Sequence, residues 1–408
     1  MPFCTRVRLR TCLHFAALVF VATASVARSQ IVIRAGTLID GRGGTRREVN
    51  IVVDGSTITH IDAAARPVTY DLSHLTVLPG LIDTHVHIDS HFGKDGRASN
   101  TGETPTQRAL YAAENAYVTL MAGFTTVQSI GSASDIDLRD AIGRGSLPGP
   151  RLLTSAGQLT DTKLTPEQIH DWVLTTIGRG ADLVKIFASK SIREGGGQTM
   201  SDAQIRAACE AAKNAGKRIW VHAHAATAVR ASSDAGCTAV AHGSQVTDAE
   251  LSLMARHGTY FEPNIGLVSQ NYLENKSRYL GIGNYDEAGF KFTEEGIPVK
   301  LAMFKRALNA KGLKIIMGTD ATAGAHGQNA REIVYRVQVG GQAAMDAIIG
   351  ATSLNAEALG LHGQVGALAS GMQADLIAVD GDPLTDITAL RRVVFVMRGG
   401  KVYKNVSR

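Results

Sequence analysis

The sequence predicts an α/β protein: a (β/α)8 TIM barrel with a small β-sandwich that both ends of the chain form. Two observations predict this fold. Over residues 78–361, eight short apolar runs alternate with helical patterns. The residues on either side of this region are instead rich in β-branched side chains and hairpin-type turns. The 408 residues are enough for one large domain and one smaller domain.

Residues 1–27 have the pattern of a secretory signal peptide. Arg6, Arg8 and Arg10 precede a short apolar run at 13–22, and small residues follow it. The run is too short for a comfortable membrane span, and a retained amphipathic tail is the alternative interpretation. We therefore expect an exported protein, periplasmic or secreted, with no membrane attachment after removal of the signal.

The composition is that of a packed globular enzyme, with 44% hydrophobic and 19% charged residues. Three positive charges of the formal +5 lie in the signal peptide, so the mature chain is nearly neutral and no nucleic-acid partner is expected. Cys4 and Cys12 also lie in the signal. The remaining cysteines, Cys209 and Cys237, are too few for a disulfide framework, and we expect two small buried side chains.

The two ends of the chain are predicted to pair as one β domain, with residues 28–77 as its first part and 362–408 as its second. Asp40-Gly41 and Asp54-Gly55 are hairpin-type turns between β-rich runs. The predicted strands include 31–33, 50–53, 58–61, 374–379 and 392–397.

The barrel region alternates between apolar runs and helical patterns such as 106–122 and 201–215. A long insertion at 264–312 precedes the last strand, and long barrel loops often cover a substrate site. Tyr272 and Tyr279 would line such a lid, although surface decoration is the alternative. The eight predicted barrel strands lie at 80–88, 124–128, 151–154, 181–187, 218–222, 238–242, 259–262 and 314–318.

Polar residues follow these strands at their C-terminal ends, where barrel enzymes place their chemistry. His85 and His87 are two residues apart in a strand, so they share one face and can bind one metal ion; two structural histidines are the alternative. Lys185 lies inside an apolar strand, where an unpaired lysine is costly. Histidines, a carboxylate and a buried lysine suit two divalent ions. The other members of this set are His222, His224, His242 and Asp320.

Two further residues are candidates for substrate contact. Arg193 precedes the glycine-rich segment 195–197, which lacks the lysine signature of a phosphate-binding loop. We interpret that segment as a flexible active-site loop, where Arg193 could hold a substrate carboxylate. His326 lies six residues after Asp320 and either faces the substrate or is a loop histidine without a role.

Five motifs occur in a fixed order and carry a resemblance to a known family. From about residue 31 to its C-terminus, the chain resembles the amidohydrolase superfamily. Within it, the chain is most similar to exported Xaa-Pro and Xaa-Arg dipeptidases, carboxypeptidases and ochratoxin-hydrolysing members. The segment 157–163 lacks the Gly-Gly-His loop that borders the substrate in many of those relatives. The motifs lie at Leu78–His87, Val184–Phe187, His222–His224, Ala241–Gly243 and Gly318–Asp320, and the ending 371–377 also matches.

The resemblance implies a role for each residue. His85, His87 and Asp320 would bind one metal ion, and His222 and His242 would bind a second. Lys185 would be carbamylated and bridge the two ions, which are zinc by resemblance. Asp320 would also take the proton from a hydroxide that bridges the metals. His224 is the alternative ligand at the fifth strand, or else it contacts substrate.

The implied activity is hydrolysis of an amide bond to an amino acid, in an N-acyl amino acid, an ochratoxin-like amide or a dipeptide. The enzymatic alternative is a cyclic amide hydrolase or a deaminase, similar to imidazolonepropionase. Mononuclear deaminases do not need a carbamylated lysine, so Lys185 favours the binuclear hydrolase. A scaffold that has lost its metals is the non-enzymatic alternative, and the complete ligand set argues against it. We expect a homo-oligomer with a small-molecule or dipeptide substrate.

Overall fold

The computed structural model describes residues 1–4 and 30–406 of the chain. Most of the predicted signal peptide, residues 5–27, lies outside the described residues. No helix in the described part of the chain is long and apolar enough to cross a membrane.

The described chain contains a β domain built from both ends and an α/β domain between them. Its strands are β1 (Ile31–Ile39), β2 (Thr45–Asp54), β3 (Thr57–Asp62), β4 (Tyr70–Pro79), β5 (Leu81–Val86), β6 (Phe124–Ser129), β7 (Arg151–Thr154), β8 (Leu183–Phe187), β9 (Arg218–Ala223), β10 (Ala239–His242), β11 (Tyr260–Glu262), β12 (Leu376–Val379), β13 (Val393–Arg398) and β14 (Lys401–Asn405).

Most of the helices follow barrel strands. They are α1 (Pro105–Met121), α2 (Asp135–Gly143), α3 (Pro166–Gly178), α4 (Asp202–Asn214), α5 (Ala226–Asp234), α6 (Asp248–His257), α7 (Leu267–Glu274), α8 (Lys276–Tyr279), α9 (Glu287–Leu308), α10 (Ala330–Gln338), α11 (Ala344–Gly350) and α12 (Ser353–Ala358). Short 3-10 turns occupy Ile192–Glu194 and Ile387–Arg391.

Three of the barrel helices begin with the same local device. Thr104, Thr165 and Ser201 each accept a hydrogen bond from the backbone N–H three residues later. The side-chain oxygen of the glutamine at that position in turn accepts a bond from the backbone N–H of the capping residue. This reciprocal pair satisfies two backbone donors that a helix start otherwise leaves free. The local sequence therefore fixes where α1, α3 and α4 begin.

Both ends of the chain join in one seven-stranded sheet with the order β14-β13-β12-β4-β1-β2-β3. The two ends meet where β12 pairs antiparallel with β4, with Leu376 opposite Pro79. The sheet curls, because the Ile58 N–H donates to the Met372 carbonyl at 2.8 Å and brings β3 back to the segment before β12. The prediction of a β domain from both ends is confirmed, and its strands form one curled sheet that encloses a single apolar core.

The middle of the chain forms the (β/α)8 barrel that the sequence predicts. β5-β6-β7 and β8-β9-β10-β11 are two parallel sheets. The segment after β7 joins them, since the Leu159 N–H donates to the Lys185 carbonyl at 2.9 Å. On the other side, the irregular segment 314–321 acts as the eighth strand. Ile316 donates to the Phe261 carbonyl of β11 at 2.9 Å, and His87, next to β5, donates to the Ala321 carbonyl at 2.8 Å.

Cys209 and Cys237 form a disulfide, with their Cα atoms 5.2 Å apart. Both residues are buried, as predicted, but the sequence analysis did not predict the bond between them. The bond joins α4 to the start of the segment that leads into β10. The intervening β9 and α5 return the chain to α4, so residues that are 28 apart in sequence become neighbours.

Candidate active site

The predicted metal ligands meet at one end of the barrel. Five of them, together with His224, line a cavity of about 500 Å³, while the sixth, Lys185, is fully buried in β8 beside it. The five are His85, His87, His222, His242 and Asp320. Each lies in a barrel strand or directly after one, so parallel strands that are distant in sequence bring them together.

The ligand atoms form two groups. Those of His85, His87 and Asp320 lie within 4.8 Å of one another, and so do those of His222, His224 and His242. In the first group, one oxygen of Asp320, Oδ1, lies 3.1 Å from His87 Nε2 and 3.4 Å from His85 Nε2. Imidazole nitrogens with a carboxylate oxygen are the donors that zinc and related divalent ions prefer, so the residues present fit two such ions.

Two of these residues have an unusual backbone. Asp320 has φ of 54° and His242 has φ of 76°, values that side chains other than glycine seldom adopt. The Asp320 N–H donates to the His85 carbonyl at 2.8 Å, which ties the irregular eighth strand to the first. Backbone strain of this kind concentrates at functional sites, because the surrounding structure must hold it in place.

Lys185 is a buried amine without a hydrogen-bond partner among the described residues. Burial lowers its pKa to about 8. A buried donor that makes no hydrogen bond costs free energy, so an unmodified lysine is a poor fit to this position. A carbamate on the same nitrogen would carry two oxygens toward the neighbouring histidines, and the position therefore fits a bridging ligand.

Asp320 is held in its ionised form. Burial by itself raises the pKa of this carboxyl, but the charge of His85, the hydrogen bond to His87 and the charge of Lys185 hold the pKa well below its usual range. An ionised carboxylate can bind a cation and accept a proton, and these are the two roles that the resemblance implies for Asp320.

His222 and His224 have different charged neighbours. Burial and then Lys185 lower the pKa of His222 to about 3. Burial also lowers the pKa of His224, and His222, Lys300 and Arg193 add to the effect. Lys185 is thus a charged neighbour of His222, whereas Lys300 and Arg193 are charged neighbours of His224. The His224 ring is fixed by Ser244, whose Oγ lies 2.8 Å from Nδ1.

Residues 76–403 match the amidohydrolase family. The chain belongs to this family. It is 31% identical to a Xaa-Pro dipeptidase whose structure holds methionine in the active site, with a TM-score of 0.83 over 92% of this chain and 100% of that chain. No curated protein sequence matches the chain.

Two further solved structures share the fold of this amidohydrolase. A. niger ochratoxinase is 21% identical, with a TM-score of 0.80 over 92% of this chain and 96% of that chain. A putative prolidase from Bifidobacterium longum is 24% identical, with a TM-score of 0.80 over 93% of this chain and 96% of that chain. The family and the dipeptidase identify this amidohydrolase as a metal-dependent hydrolase and support hydrolysis of an amide bond.

Glu262, at the end of β11, is a site residue that the sequence analysis missed. Its Oε1 lies 2.6 Å from His85 Nδ1, and its Oε2 accepts hydrogen bonds from Thr84 Oγ1 at 2.6 Å and Trp220 Nε1 at 2.9 Å. Gly318 makes room for it, because a Cβ at that position would overlap the Glu262 carboxyl carbon. A carboxylate at a strand end was the available signal, since β11 was predicted correctly.

Arg193 lies in the cavity wall, in the turn Ile192–Glu194. Its Nε donates to Asn284 Oδ1 at 2.9 Å, and its guanidinium carbon lies 4.0 Å from the ring centre of Tyr285 and 5.1 Å from that of Tyr272. The insertion thus contributes to the cavity through Tyr272, as predicted for a lid residue. Tyr279 instead donates to the Ala323 carbonyl at 2.6 Å and does not line the cavity.

Lys300, in α9 of the insertion, is a second residue that the sequence analysis missed. It lines the cavity with only 4% of its surface exposed, and its Nζ lies 3.1 Å from Ser269 Oγ. The helical spacing of the sequence could have revealed its burial. Lys300 is three or four residues from Gly296 and Met303, so it lies on the same buried face of α9 as these two residues and Thr293.

His326, predicted as a substrate contact, does not line the active-site cavity. It lines a separate cavity with Tyr117 and Met121 of α1 and with Leu390. After Asp320 the chain reaches α1, where Gly327, next to His326, lies beside Val118. Burial lowers the pKa of His326 to about 4. The expectation that His326 contacts substrate is not supported by this position.

Proposed function

We propose that this amidohydrolase uses two divalent ions, zinc by family resemblance, to hydrolyse an amide bond to an amino acid. His85, His87 and Asp320 would hold one ion, and His222 and His242 would hold the other. The observation that carries this proposal is the pair of ligand groups beside Lys185, whose buried nitrogen has no partner among the described residues. Carbamylated Lys185 would supply the ligand that both ions share.

Bound divalent ions would lower the pKa of water toward neutrality and polarise the substrate carbonyl. The chain's own residues supply the proton transfers. Asp320, ionised and beside both His85 and His87, would accept the proton of the attacking water as the new carbon–oxygen bond forms. It would then return that proton to the amine nitrogen as the carbon–nitrogen bond breaks, which yields a carboxylate and an amine.

The substrates we propose are N-acyl amino acids, dipeptides and ochratoxin-like amides. The Xaa-Pro dipeptidase that is 31% identical to this chain supports amino-acid amides as a class. The cavity also supports them, because charged Arg193 and aromatic Tyr272 and Tyr285 form one contiguous part of its wall. Such a wall suits a ligand with both an apolar side chain and a charge.

We also propose that the mature protein is exported. The signal-like pattern at residues 1–27 motivates this proposal, and the disulfide between Cys209 and Cys237 supports it, since disulfides persist mainly in oxidising compartments. Expression with the native leader, followed by fractionation and N-terminal sequencing, tests it. A mature protein that retains residue 1 in the cytoplasm would contradict export.

The central test is hydrolysis of a panel of amides by the purified mature protein, with and without a chelator. The panel contains N-acetyl amino acids, Xaa-Pro and Xaa-Arg dipeptides and an ochratoxin-like amide, with cyclic amides and aminopyrimidines as counter-substrates. We expect cleavage of linear amides that the chelator abolishes and added zinc restores. Turnover confined to cyclic amides or aminopyrimidines would replace the proposal with ring hydrolysis or deamination.

A further inference from the structure

Lys300 is a buried cation that lines the active-site cavity. It forms no ion pair with any carboxylate in residues 30–406, and Ser269 is the hydrogen-bond acceptor nearest its Nζ, at 3.1 Å. A buried ammonium is costly unless a negative charge accompanies it. The position therefore carries a cost that an anionic ligand would offset.

The surroundings of Lys300 point to a ligand rather than to a structural ion pair. Arg193, which also lines the cavity, likewise has no ion pair in the described chain. Its Nε donates to Asn284, and its guanidinium group lies over the rings of Tyr272 and Tyr285. The positive charges of Lys300 and Arg193 both lower the pKa of His224, which also lines the cavity. The lining of the cavity thus carries two positive charges, from Lys300 and Arg193.

Lys300 and Arg193 differ in how firmly their charged groups are held. An ammonium carries three N–H donors on a flexible stem, and Ser269 engages one of them. Arg193 is instead fixed between Asn284 and two aromatic rings, so it adds charge from a set position. Of the two, Lys300 is the better placed to bind an incoming anion directly.

We propose that Lys300, oriented by Ser269, is the specificity residue that binds the free carboxylate of the amino-acid half of the substrate, with Arg193 as a supporting charge. This inference rests on the proposed function, and it narrows the substrates to amides whose amino-acid carboxylate is free. It differs from the sequence-based expectation, which assigned the carboxylate to Arg193 alone.

Binding of compounds that cannot be hydrolysed by the same route tests this proposal independently of activity. The probes are N-methanesulfonyl derivatives of L-phenylalanine, L-methionine and L-proline, each as the free acid and as the carboxamide. Calorimetry on the metal-loaded protein compares the wild type with Lys300→Met, which keeps an unbranched stem of similar length and removes the charge. Lys291→Met, on the exposed face of the same helix, is the matched control.

We expect the wild type and Lys291→Met to bind at least one acid more tightly than its carboxamide. Lys300→Met should weaken binding of that acid by about 10- to 100-fold, the loss of a charged hydrogen bond, and change carboxamide binding by less than about 2-fold. Equal binding of acid by Lys300→Met and the wild type would overturn the proposal. A wild type that binds no acid, or binds acid and carboxamide equally, would also overturn it.

The same data separate this inference from the proposed function. If no amide is hydrolysed but Lys300 still discriminates acid from carboxamide, the carboxylate site stands and the reaction is different. If neutral amides are hydrolysed and Lys300→Met leaves acid binding unchanged, the reaction stands and the carboxylate site is wrong.

Discussion

Glu262 Oε1 lies 2.6 Å from His85 Nδ1, in the interior of the barrel where both side chains are buried. The contact makes Nδ1 the donor and leaves Nε2 of His85 free on the side that faces Asp320. Burial raises the pKa of Glu262, but His85, Thr84 and Trp220 outweigh burial and hold the pKa below its usual range. An ionised Glu262 therefore fixes the imidazole tautomer that a metal ligand needs.

Glu262→Gln should weaken metal binding by about 10- to 100-fold, because the neutral amide orients the imidazole less strongly and makes it a weaker ligand. Competition with a chelating dye measures the affinity. Glu357→Gln is the matched control, since Glu357 also contacts β11, through Tyr260, but is partly exposed. Unchanged affinity in Glu262→Gln would show that His85 is oriented by other contacts.

Lys185→Ala should lose bound metal and activity together, because it removes the ligand proposed to be common to both ions. The variant should still fold, since the change removes a buried amine that makes no hydrogen bond. Elemental analysis for metal per chain and turnover of the best amide are the measurements, with Lys213→Ala on the exposed part of α4 as control. A fully active Lys185→Ala protein would contradict the bridging role.

Asp320→Asn should fold and keep most of its metal but lower kcat by about 10²- to 10⁴-fold, the usual contribution of a proton-transfer group. The amide keeps the shape of the carboxylate and cannot accept the proton. Steady-state kinetics and metal analysis of the same preparation test this, with exposed Asp171→Asn as control. Turnover near that of the wild type would remove Asp320 as the proton acceptor.

The parts of the fold and site that the sequence predicted are those that short-range patterns determine. Each barrel strand is a local apolar run, and every predicted ligand except Lys185 lies at the end of such a run or directly after it, so strand periodicity together with the barrel rule was enough for them. His85 and His87 share a face because they are two residues apart. The eighth strand was found in the same way, although its backbone is irregular around Asp320.

The parts that were missed depend on contacts between distant residues. Glu262 and His85 are 177 residues apart, and neither neighbourhood alone indicates the contact. The disulfide depends on how α5 packs against α4. Lys300 was visible in the spacing of α9, but a lysine in an insertion helix is usually exposed, so only the packing against Ser269 reveals its burial.

The disulfide should stabilise the protein by about 3–4 kcal/mol, the value expected for closing a loop of 28 residues in the unfolded chain. Cys209→Ala/Cys237→Ala should therefore lose about that much free energy of unfolding, with activity retained at low temperature. Urea unfolding with and without a reductant measures the effect. A reductant should destabilise the wild type and leave the double variant unchanged; equal sensitivity of the two proteins would contradict the bond.

Binding of the free acid by Lys300 should depend on pH. Burial lowers the pKa of Lys300 to about 8, while Asp320 and Glu332 raise it and Arg193 lowers it. A carboxylate binds the ammonium and not the neutral amine, so affinity should be constant below about pH 8. Above it, affinity should fall by up to tenfold per pH unit as the proton is lost.

Calorimetry of the best N-methanesulfonyl acid between pH 6.5 and 9.5 measures this dependence. A second group titrates in this range, because burial lowers the pKa of unmodified Lys185 to about 8 as well. Comparison with Lys300→Met therefore separates the titration of Lys300 from that of Lys185. The wild type should lose affinity above about pH 8, and Lys300→Met should show a weak and flat profile. A matching decline in both proteins would assign the titration to Lys185 or to the metal site, because the charge at position 300 would then have no part in it.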